Sequence, residues 1–514
     1  MKNNKINTIA EEVDSREKYV ADLDQALAVA GLGWYNIKYS LVLALFLMAA
    51  ILEPVGYSFV LPAAMCDLEM TDSQRGFIAS IPYIGIVITS FPWGYLVDTR
   101  GRKPVLIYSS LLAGLFGIAS GFMPELISFA ACKCLTALCL ACSAAVPYTF
   151  IGEILPAQSR DLILSIVNAL QISGTALTSL FAWAILPLDF RIDFGLYVFR
   201  SWRLLSMVNA SFFIIGAGFL SLGPESPKYL VTQGKMDEAL KVLQRIYAGN
   251  KNKAPEDYPI NRLDAPPHEN TKIGFLTSIK VQSLPLFKPP YVKWFALNGF
   301  LLFGLFSVLN GLYLWVPDVL NRVLTGEGED MTACDVIRVR LNQNVEEDAE
   351  CVDTIDTVTF VISSVANICC ALIALAVSFT VKFIGKKILT IITFFLIGTF
   401  CILINFIKQD MVFAVLMSSF PILALSVGPI NAYSVEFFPT YLRGMAIGLT
   451  MMIGRIGSIF GTNIAGVLIN AFCEMTFYLF GGLLIFCSLL AFVLPRTQRS
   501  PTNKMPPQIE DTRL

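Results

Sequence analysis

Long apolar runs separated by short polar stretches dominate this chain of 514 residues. An α-helix needs about 20 consecutive apolar residues to cross a bilayer whose hydrocarbon core is about 30 Å thick. Runs of this length fall on both sides of a polar stretch at 224–290, six before it and six after it. The pattern therefore predicts an all-α membrane protein with twelve transmembrane helices. These are expected at 39–62, 76–97, 105–123, 126–150, 162–187, 201–223, 291–315, 356–380, 388–406, 411–434, 443–470 and 474–494.

The composition favours a lipid bilayer as the solvent for much of the chain. Hydrophobic residues make up 55% and charged residues 15%, whereas an average soluble protein carries about 25% charged residues. The net charge of −1 argues against a nucleic-acid partner. Residues 1–38 are polar and mixed in charge, so we expect no cleavable signal peptide. The first apolar run should itself start translocation.

Lys and Arg are distributed unevenly between the two sides that the predicted helices define. With the amino terminus inside, most of them fall in the tails and cytoplasmic loops, and acidic residues concentrate in the opposite loops. The positive-inside rule then places both termini in the cytoplasm. The predicted parts are a cytoplasmic tail at 1–38, a first helical half at 39–223, a cytoplasmic linker at 224–290, a second half at 291–494 with an outer loop at 318–355, and a cytoplasmic tail at 495–514.

One charged motif occurs twice. The pattern E-x-x-P-x-x-x-R runs from Glu153 to Arg160 and recurs from Glu436 to Arg443, 283 residues later. Each copy lies between two long apolar runs. A duplication of this kind in a membrane protein usually encloses a pathway between two related halves.

A basic turn with the sequence GYLVDTRGRKP occupies 94–104, between the second and third predicted helices. Such a turn cannot enter lipid, and Gly101 permits the bend. This stretch resembles the cytoplasmic signature loop of the major facilitator superfamily. The repeated motif and PESPKYL at 224–230 resemble its sugar-porter and organic-ion-transporter branches. The long loop after helix 7 and GRIG at 454–457 are most similar to synaptic vesicle glycoprotein 2 and its relatives.

The resemblance covers about residues 39–494 and implies two six-helix bundles around a central cavity. It implies a secondary active or facilitative transporter that moves a small organic ion or polar metabolite by alternating access, in the plasma membrane or an intracellular vesicle membrane. The alternative is a transporter-like protein that does not transport and acts in vesicle trafficking or as a membrane partner. The absence of glycosylation sequons at 318–355 weighs against that alternative.

An enzymatic function finds no support in the sequence, which offers neither a nucleophile–base constellation nor a phosphate-binding glycine loop. We expect no cofactor and no metal. The cysteines at 132, 134, 139 and 142 lie inside one apolar run, where they are expected to pack as small apolar residues. Cys334 and Cys351 share the predicted outer loop, where a disulfide between them would persist.

The resemblance also implies a latch at the inner face, closed when the cavity opens outward. Charge-assisted pairs between the bundles would have to break for one bundle to rock away from the other. The alternative is that these charges are solvated loop ends. In the second half Lys382 stands where Asp98 stands in the first, so the latch should be weaker there. The candidate latch residues are Asp98, Arg100, Arg102, Glu153, Arg160, Glu436 and Arg443.

Two opposite charges lie well inside the first and fourth predicted helices. Glu53 lies nine residues before Pro62, and Lys133 lies nine residues after Pro124. Both prolines mark outer helix ends, so the two charges should sit at the same depth, about 13 Å from the outer surface. The resemblance implies that helices 1 and 4 both line the cavity, so a Glu53–Lys133 pair is geometrically reasonable. Either substrate or a coupling proton exchanges with this pair, or the pair is a permanent bridge that fixes helix packing.

A third charge, Arg455, lies in the middle of the eleventh helix with glycines around it. Arginine suits the binding of carboxylate or sulfate groups, so contact with substrate or a counter-charge is expected. The alternative is a side chain that reaches the membrane surface. The other candidate cavity residues are polar or aromatic: Asn168, Gln171, Asn310, Tyr313 and Tyr433.

Overall fold

The computed structural model describes residues 20–264, 283–325, 331–346 and 355–495. The first half contains six membrane-spanning helices, here called spans 1–6. They are Trp34–Ala63, Asp72–Arg100, Arg102–Ser120, Leu126–Ile154, Ala157–Ile185 and Ser201–Ser221. The second half contains spans 7–12, which are Val292–Leu324, Thr357–Ile384, Lys386–Phe406, Asp410–Ser434, Thr440–Ala471 and Cys473–Ala491.

These spans confirm the predicted fold class. Within the described residues, 11 helices are long and apolar enough to cross a membrane, and span 8 contains a shorter apolar stretch, Thr357–Ile373. Spans 3, 4 and 6 pack together in the first bundle, and span 9 packs on span 12 in the second. The two bundles meet where span 2 packs on span 11 and span 5 packs on span 8.

The same tight turn occurs in both halves, although the residues around it are only partly similar. Gly101 joins spans 2 and 3 with φ 104°, and Gly385 joins spans 8 and 9 with φ 85°. Both values lie in the region that favours glycine, since a side chain would clash with the backbone. Two consecutive spans thus reverse direction over a single residue in each half.

Span 7 differs from the prediction. Expected to end near 315, it continues to Leu324 and takes in the start of the expected outer loop. Its helix is irregular at Ser307–Gly311, where the backbone of Gly311 meets that of Gly461 in span 11. The sequence pattern missed the last turns because Asp318 and Arg322 interrupt the apolar run. Residues 331–346 of the expected outer loop contain a further helix, Ala333–Glu346.

A small second core lies beside the first bundle, outside the spans. Strand Val20–Ala21 pairs in parallel with Arg262–Leu263. Helix Leu23–Ala30 packs on helix Met236–Lys251, and the apolar residues between them are buried. The described parts of the expected tail and linker therefore fold together, and the linker helix uses its apolar face for this core. Short helical turns at Pro227–Thr232, Pro255–Asp257 and Leu284–Phe287 and a hairpin of Ile192–Asp193 with Val198–Phe199 complete the fold.

Candidate functional site

The first bundle holds a buried ion pair between spans 1 and 4. Lys133 Nζ lies 2.7 Å from Glu53 Oε1, and the two side chains are 1% and 2% exposed. The Tyr57 hydroxyl donates to the same Glu53 oxygen at 3.3 Å. The Lys133 ammonium also lies over the rings of Tyr57, at 5.1 Å, and Phe129, at 5.7 Å. The structure thus brings together the two residues that the sequence placed at equal depth, whereas their role in transport stays a prediction.

The surroundings of this pair explain how two ions persist inside the bundle. Each buried charge is costly alone, and the partner at hydrogen-bond distance compensates that cost. The faces of Tyr57 and Phe129 add an attraction for the ammonium. Protonation of Glu53 would remove the partner and leave the Lys133 cation in an apolar setting. The two charges are therefore coupled, and a change in one changes the energy of the other.

Arg455 lies between the two bundles. Its guanidinium is 6.0 Å from the ring centre of Tyr83 in span 2 and 5.1 Å from that of Phe306 in span 7. Tyr83 and Phe306 are both buried, and the Arg455 side chain is partly exposed. Within the described residues no carboxylate lies within ion-pair distance of it, and its only charged or aromatic neighbours in close contact are these two rings. Arg455 thus contributes a positive charge that no described acidic residue neutralises.

The other candidate cavity residues form hydrogen bonds inside their own bundles. The Tyr148 hydroxyl bonds Asn168 at 3.1 Å and also Gln171, joining spans 4 and 5. Asn310 donates to Ser458 at 3.1 Å, and the Tyr313 hydroxyl donates to Asn367 at 2.7 Å. Asn168 is exposed, and the other three predicted positions are partly exposed, so all four remain candidates. These three are Gln171, Asn310 and Tyr313.

Tyr433 lies in a different setting from the other candidates. Its side chain is fully buried, and its hydroxyl donates to the carbonyl of Pro495 at 3.2 Å. Its ring stacks on that of Phe437. These contacts hold the end of span 10 against the residues after span 12.

The basic turn after span 2 is held by contacts within the first bundle and the linker. Arg102 pairs with Glu153 at 3.2 Å and with Asp98 at 3.1 Å. The Ser226 hydroxyl donates to Glu153 at 2.5 Å, and the Arg102 guanidinium lies 5.2 Å from the ring centre of Tyr229. We call this end of the molecule the Arg102 end. Arg102 thus ties together the turn, span 4 and the start of the linker.

Glu225 completes this set of contacts, and the sequence analysis assigned it no role. Its carboxylate accepts the backbone N–H of Lys103 at 3.1 Å and that of Ser226 at 2.8 Å. Burial raises the pKa of Glu225 above its ordinary value, and the hydrogen bonds from Ser226 and Lys103 offset only part of that rise. The signal in the sequence was its place in the PESPKYL stretch.

The remaining latch candidates have different surroundings. Lys386 lies 2.7 Å from Glu436 in the second bundle. Arg160 lies 3.4 Å from Asp24 of the small second core. Arg100 is exposed, and Arg443 is half-buried with its Nε atom unpaired within the described residues. In this conformation the described charges at the Arg102 end form no ion pair between the bundles, and the predicted latch stays a prediction for the opposite state.

The predicted disulfide between Cys334 and Cys351 is wrong. Cys334 is bonded to Cys473, with the two Cα atoms 5.6 Å apart, and Cys351 lies outside the described residues. The bond joins helix Ala333–Glu346 to the first residue of span 12. Sequence reasoning missed it because the partner stands 139 residues away, in the short turn between two spans.

A polar network at the other end, which we call the Arg75 end, was also missed. Arg75 and Asp318 meet there across the bundle interface. Both lie outside the predicted helices, since Arg75 precedes the helix expected at 76–97 and Asp318 begins the outer loop expected at 318–355. No periodicity in the chain signals their contact, because it depends on how spans 2 and 7 approach each other.

Comparison with known proteins agrees with this architecture. The family profile described as "Sugar (and other) transporter" matches residues 42–305, and that described as "Major Facilitator Superfamily" matches residues 354–512. Synaptic vesicle glycoprotein 2A of Homo sapiens is 30% identical over 243 residues, which are 47% of this chain and 33% of that protein. Synaptic vesicle glycoprotein 2C of Mus musculus is 26% identical over 343 residues, 60% of this chain and 46% of that protein. The matches thus span less than half the length of these relatives.

Solved structures of transporters share the fold. The xylose transporter XylE from E. coli, in a partially occluded inward-open conformation, matches with a TM-score of 0.66 at 16% identity, covering 91% of this chain and 99% of that one. The nucleoside transporter NupG matches with a TM-score of 0.59 at 12% identity, covering 88% and 99%. At these identities the likeness shows the fold alone. Together with the family profiles, it places this chain in the major facilitator superfamily, among the sugar and other transporters.

Proposed function

We propose that this protein is a secondary active or facilitative transporter of a small organic anion, working by alternating access between its two bundles. The observation that carries the proposal is Arg455, a cation between the bundles that has no acidic partner in the part of the chain that the structure describes. Glu53 and Lys133 neutralise each other, so they leave this positive charge uncompensated. An anionic substrate is the group that would balance it.

The energetics of a buried charge support this assignment. A charge near the centre of a bilayer costs at least about 2.5 kcal/mol, and such residues face a cavity or a partner. The guanidinium presents a planar array of donors that matches a carboxylate or sulfate group. Tyr83 and Phe306 flank it from the two bundles, so a ligand held there would contact both. A group that binds both bundles is placed to couple its own binding to their motion.

A proton is the coupling ion that the first bundle best supports. Glu53 is the acid whose protonation would release Lys133 and change the charge beside the path. One protein with the same fold is a D-xylose-proton symporter, so proton coupling is known to occur in that protein. We therefore assign Glu53 and Lys133 to proton coupling and Arg455 to substrate.

The disulfide supports the orientation with both termini in the cytoplasm. Cys334–Cys473 lies at the Arg75 end, and disulfides persist on the oxidising side of a membrane. The basic turn around Arg102 lies at the opposite end, as the positive-inside rule requires. The Arg75 end therefore faces outward or into a vesicle, and the membrane is the plasma membrane or that of an intracellular vesicle.

Uptake into proteoliposomes tests the proposed function. The full chain is reconstituted and given a panel of organic anions, cations and sugars, with and without a pH gradient. We expect uptake of at least one organic anion, and Arg455→Gln should lower it about tenfold or more because a charge-assisted hydrogen bond is lost. Lys293→Gln is the matched control, since it removes an exposed cation at the start of span 7.

Two further outcomes decide the details. Glu53→Gln should reduce uptake and remove its dependence on the pH gradient; full gradient-driven uptake by this variant would exclude Glu53 from coupling. If a folded preparation takes up none of the compounds in the panel, the proposed transport is contradicted. That result would favour the alternative of a membrane protein acting in vesicle trafficking or as a membrane partner.

A further inference from the structure

Five polar residues at the Arg75 end form one network across the two bundles. Asp72 and Arg75 stand in the first turn of span 2, in the first bundle. The other three belong to the second bundle. Asp318 and Arg322 lie in the last turns of span 7, and Asn470 lies at the end of span 11. We call these five residues the Arg75 network.

The contacts of the network pass from bundle to bundle. Arg75 lies 2.7 Å from Asp318, and Arg322 lies 3.6 Å from Asp72, so each arginine reaches an acid of the other bundle. Within the bundles, Arg75 lies 3.4 Å from Asp72 and Arg322 lies 3.0 Å from Asp318. Asn470 accepts from Arg322 at 2.8 Å and donates to Asp72. The result is a closed set of contacts with two positive and two negative charges.

Burial makes these pairs different from ordinary surface ion pairs. The Arg75 side chain is 1% exposed, and its guanidinium lies 4.1 Å from the ring centre of Trp315. The Asp318 side chain is 11% exposed. Exposed pairs contribute little, but removal of one partner from a buried pair leaves an uncompensated charge and is strongly destabilising. The network therefore favours contact between the bundles at this end.

Close backbone packing lies directly beside the network. A Cβ atom on Gly76 would lie 2.9 Å from the carbonyl oxygen of Thr462 in span 11. A Cβ atom on Gly466 would lie 3.0 Å from the carbonyl oxygen of Asp72 and 3.0 Å from the Trp315 ring. Spans 2 and 11 thus touch through their backbones, which leaves no room for a path between them here.

The Arg102 end shows the opposite pattern. The ion pairs there join Arg102 to Glu153 within the first bundle and Lys386 to Glu436 within the second. Within the described residues, the ion pairs that cross between the bundles are those of the Arg75 network. We propose that the Arg75 network is an ionic lock that closes this end of the transport path and breaks whenever the bundles part there.

Hydrogen exchange of the full chain in nanodiscs tests the lock without any substrate. The lock rests on the alternating-access part of the proposed function, but this readout is separate from uptake. Asp318→Asn removes one charge from the lock. We expect at least about threefold faster exchange at the start of span 2 and the end of span 11. Exchange at the starts of spans 5 and 11, at the Arg102 end, should become slower because the bundles close there.

Two more variants define the result. The charge swap Arg75→Asp with Asp318→Arg restores an opposite pair and should return exchange towards that of the unchanged protein. Arg338→Gln is the matched control, since it removes an exposed arginine at the same end that pairs with Asp335 and Glu474 of its own bundle. This control should leave exchange at both ends unchanged.

The lock is overturned if Asp318→Asn folds and exchange at the Arg75 end is unchanged. It is also overturned if exchange rises there without slowing at the Arg102 end, because a local packing role would give that result. Should Asp318→Asn fail to fold, Asn470→Ala decides the same question, since it removes only the amide link between Arg322 and Asp72. Loss of uptake with these exchange results intact would refute the proposed substrate and leave the lock standing.

Discussion

The pairing of Glu53 with Lys133 could be foreseen at the level of single residues. Both side chains were placed by counting turns from a proline at the outer end of a helix, and helix rise converts that count into depth. In the structure Lys133 Nζ lies 2.7 Å from Glu53 Oε1. Depth could be predicted because it is a local property of each helix, whereas the proximity of helices 1 and 4 was taken from the family resemblance. Tyr57, which donates a hydrogen bond to Glu53, can be placed by the same count, since it stands one helical turn after Glu53.

A double-mutant cycle measures how strongly this pair is coupled. Glu53→Gln or Lys133→Met alone should lower the stability of the protein by about 3–5 kcal/mol, because each leaves a buried group without its partner. The double variant should lose less than the sum of the two. Thermal unfolding in detergent, followed by tryptophan fluorescence, supplies the three values. Strictly additive losses would show that the two charges do not depend on each other.

The neighbours of Arg455 and the partners of Arg75 were beyond prediction from single residues. Tyr83 and Phe306 stand more than a hundred residues before Arg455 and on different spans. Asp318 and Arg322 interrupt an apolar run, so they were assigned to a loop. Their placement in a span makes sense only once Arg75 and Asp72 are beside them. Contacts between distant segments carry no local signature in one sequence.

At the scale of elements, the apolar runs predicted the spans well and the segments between them poorly. The thickness of the bilayer sets the length of each apolar run, and it does so for each span separately. In the linker, the sequence from Lys235 to Tyr247 has the pattern of an amphipathic helix, and the structure has helix Met236–Lys251 there. Its partner, helix Leu23–Ala30, was not predicted, because its eight residues lie in a polar tail. The core between them is a tertiary contact that short-range patterns do not show.

Truncation of Leu27 tests whether this small second core is a folded unit. Leu27 is 2% exposed and packs in the cluster with Leu243 and Ile246. Leu27→Ala should destabilise the core by about 2–5 kcal/mol. Faster hydrogen exchange in helices Leu23–Ala30 and Met236–Lys251 would show it. Val29→Ala, on the same helix at a position 39% exposed, is the control and should leave exchange unchanged.

The disulfide links two elements that lie far apart in the sequence, and peptide mapping tests it directly. Digestion without reduction should release a linked pair of peptides that contain Cys334 and Cys473. Cys473→Ser should abolish the link and lower stability by about 2–4 kcal/mol, because a long loop loses its closure. Cys134→Ser removes an exposed free thiol and serves as the control. A linked pair of Cys334 with Cys351 would restore the pairing expected from the sequence.

At the scale of the whole molecule, duplication made the architecture predictable. The repeated E-x-x-P-x-x-x-R motif and the two glycine turns, Gly101 and Gly385, mark equivalent points in the two halves. Two related halves in lipid have few ways to pack, and the twelve-span arrangement follows. The way in which the halves differ could not be read from the motif. Arg102 pairs with Glu153 in the first half as Lys386 pairs with Glu436 in the second. The first turn adds an acid, Asp98, that also pairs with Arg102, whereas the second turn has Lys382 at that position.

The charges of the Arg75 network have a consequence for its response to voltage. When the bundles part, the first keeps Asp72 and Arg75, and the second keeps Asp318 and Arg322. Each set sums to zero, so their separation carries no net charge through the electric field of the membrane. A transmembrane potential does work of about 2.3 kcal/mol per elementary charge per 100 mV, and here it finds no charge on which to act. Opening of the network itself should therefore be electrically silent, and any voltage dependence would have to come from charges outside it.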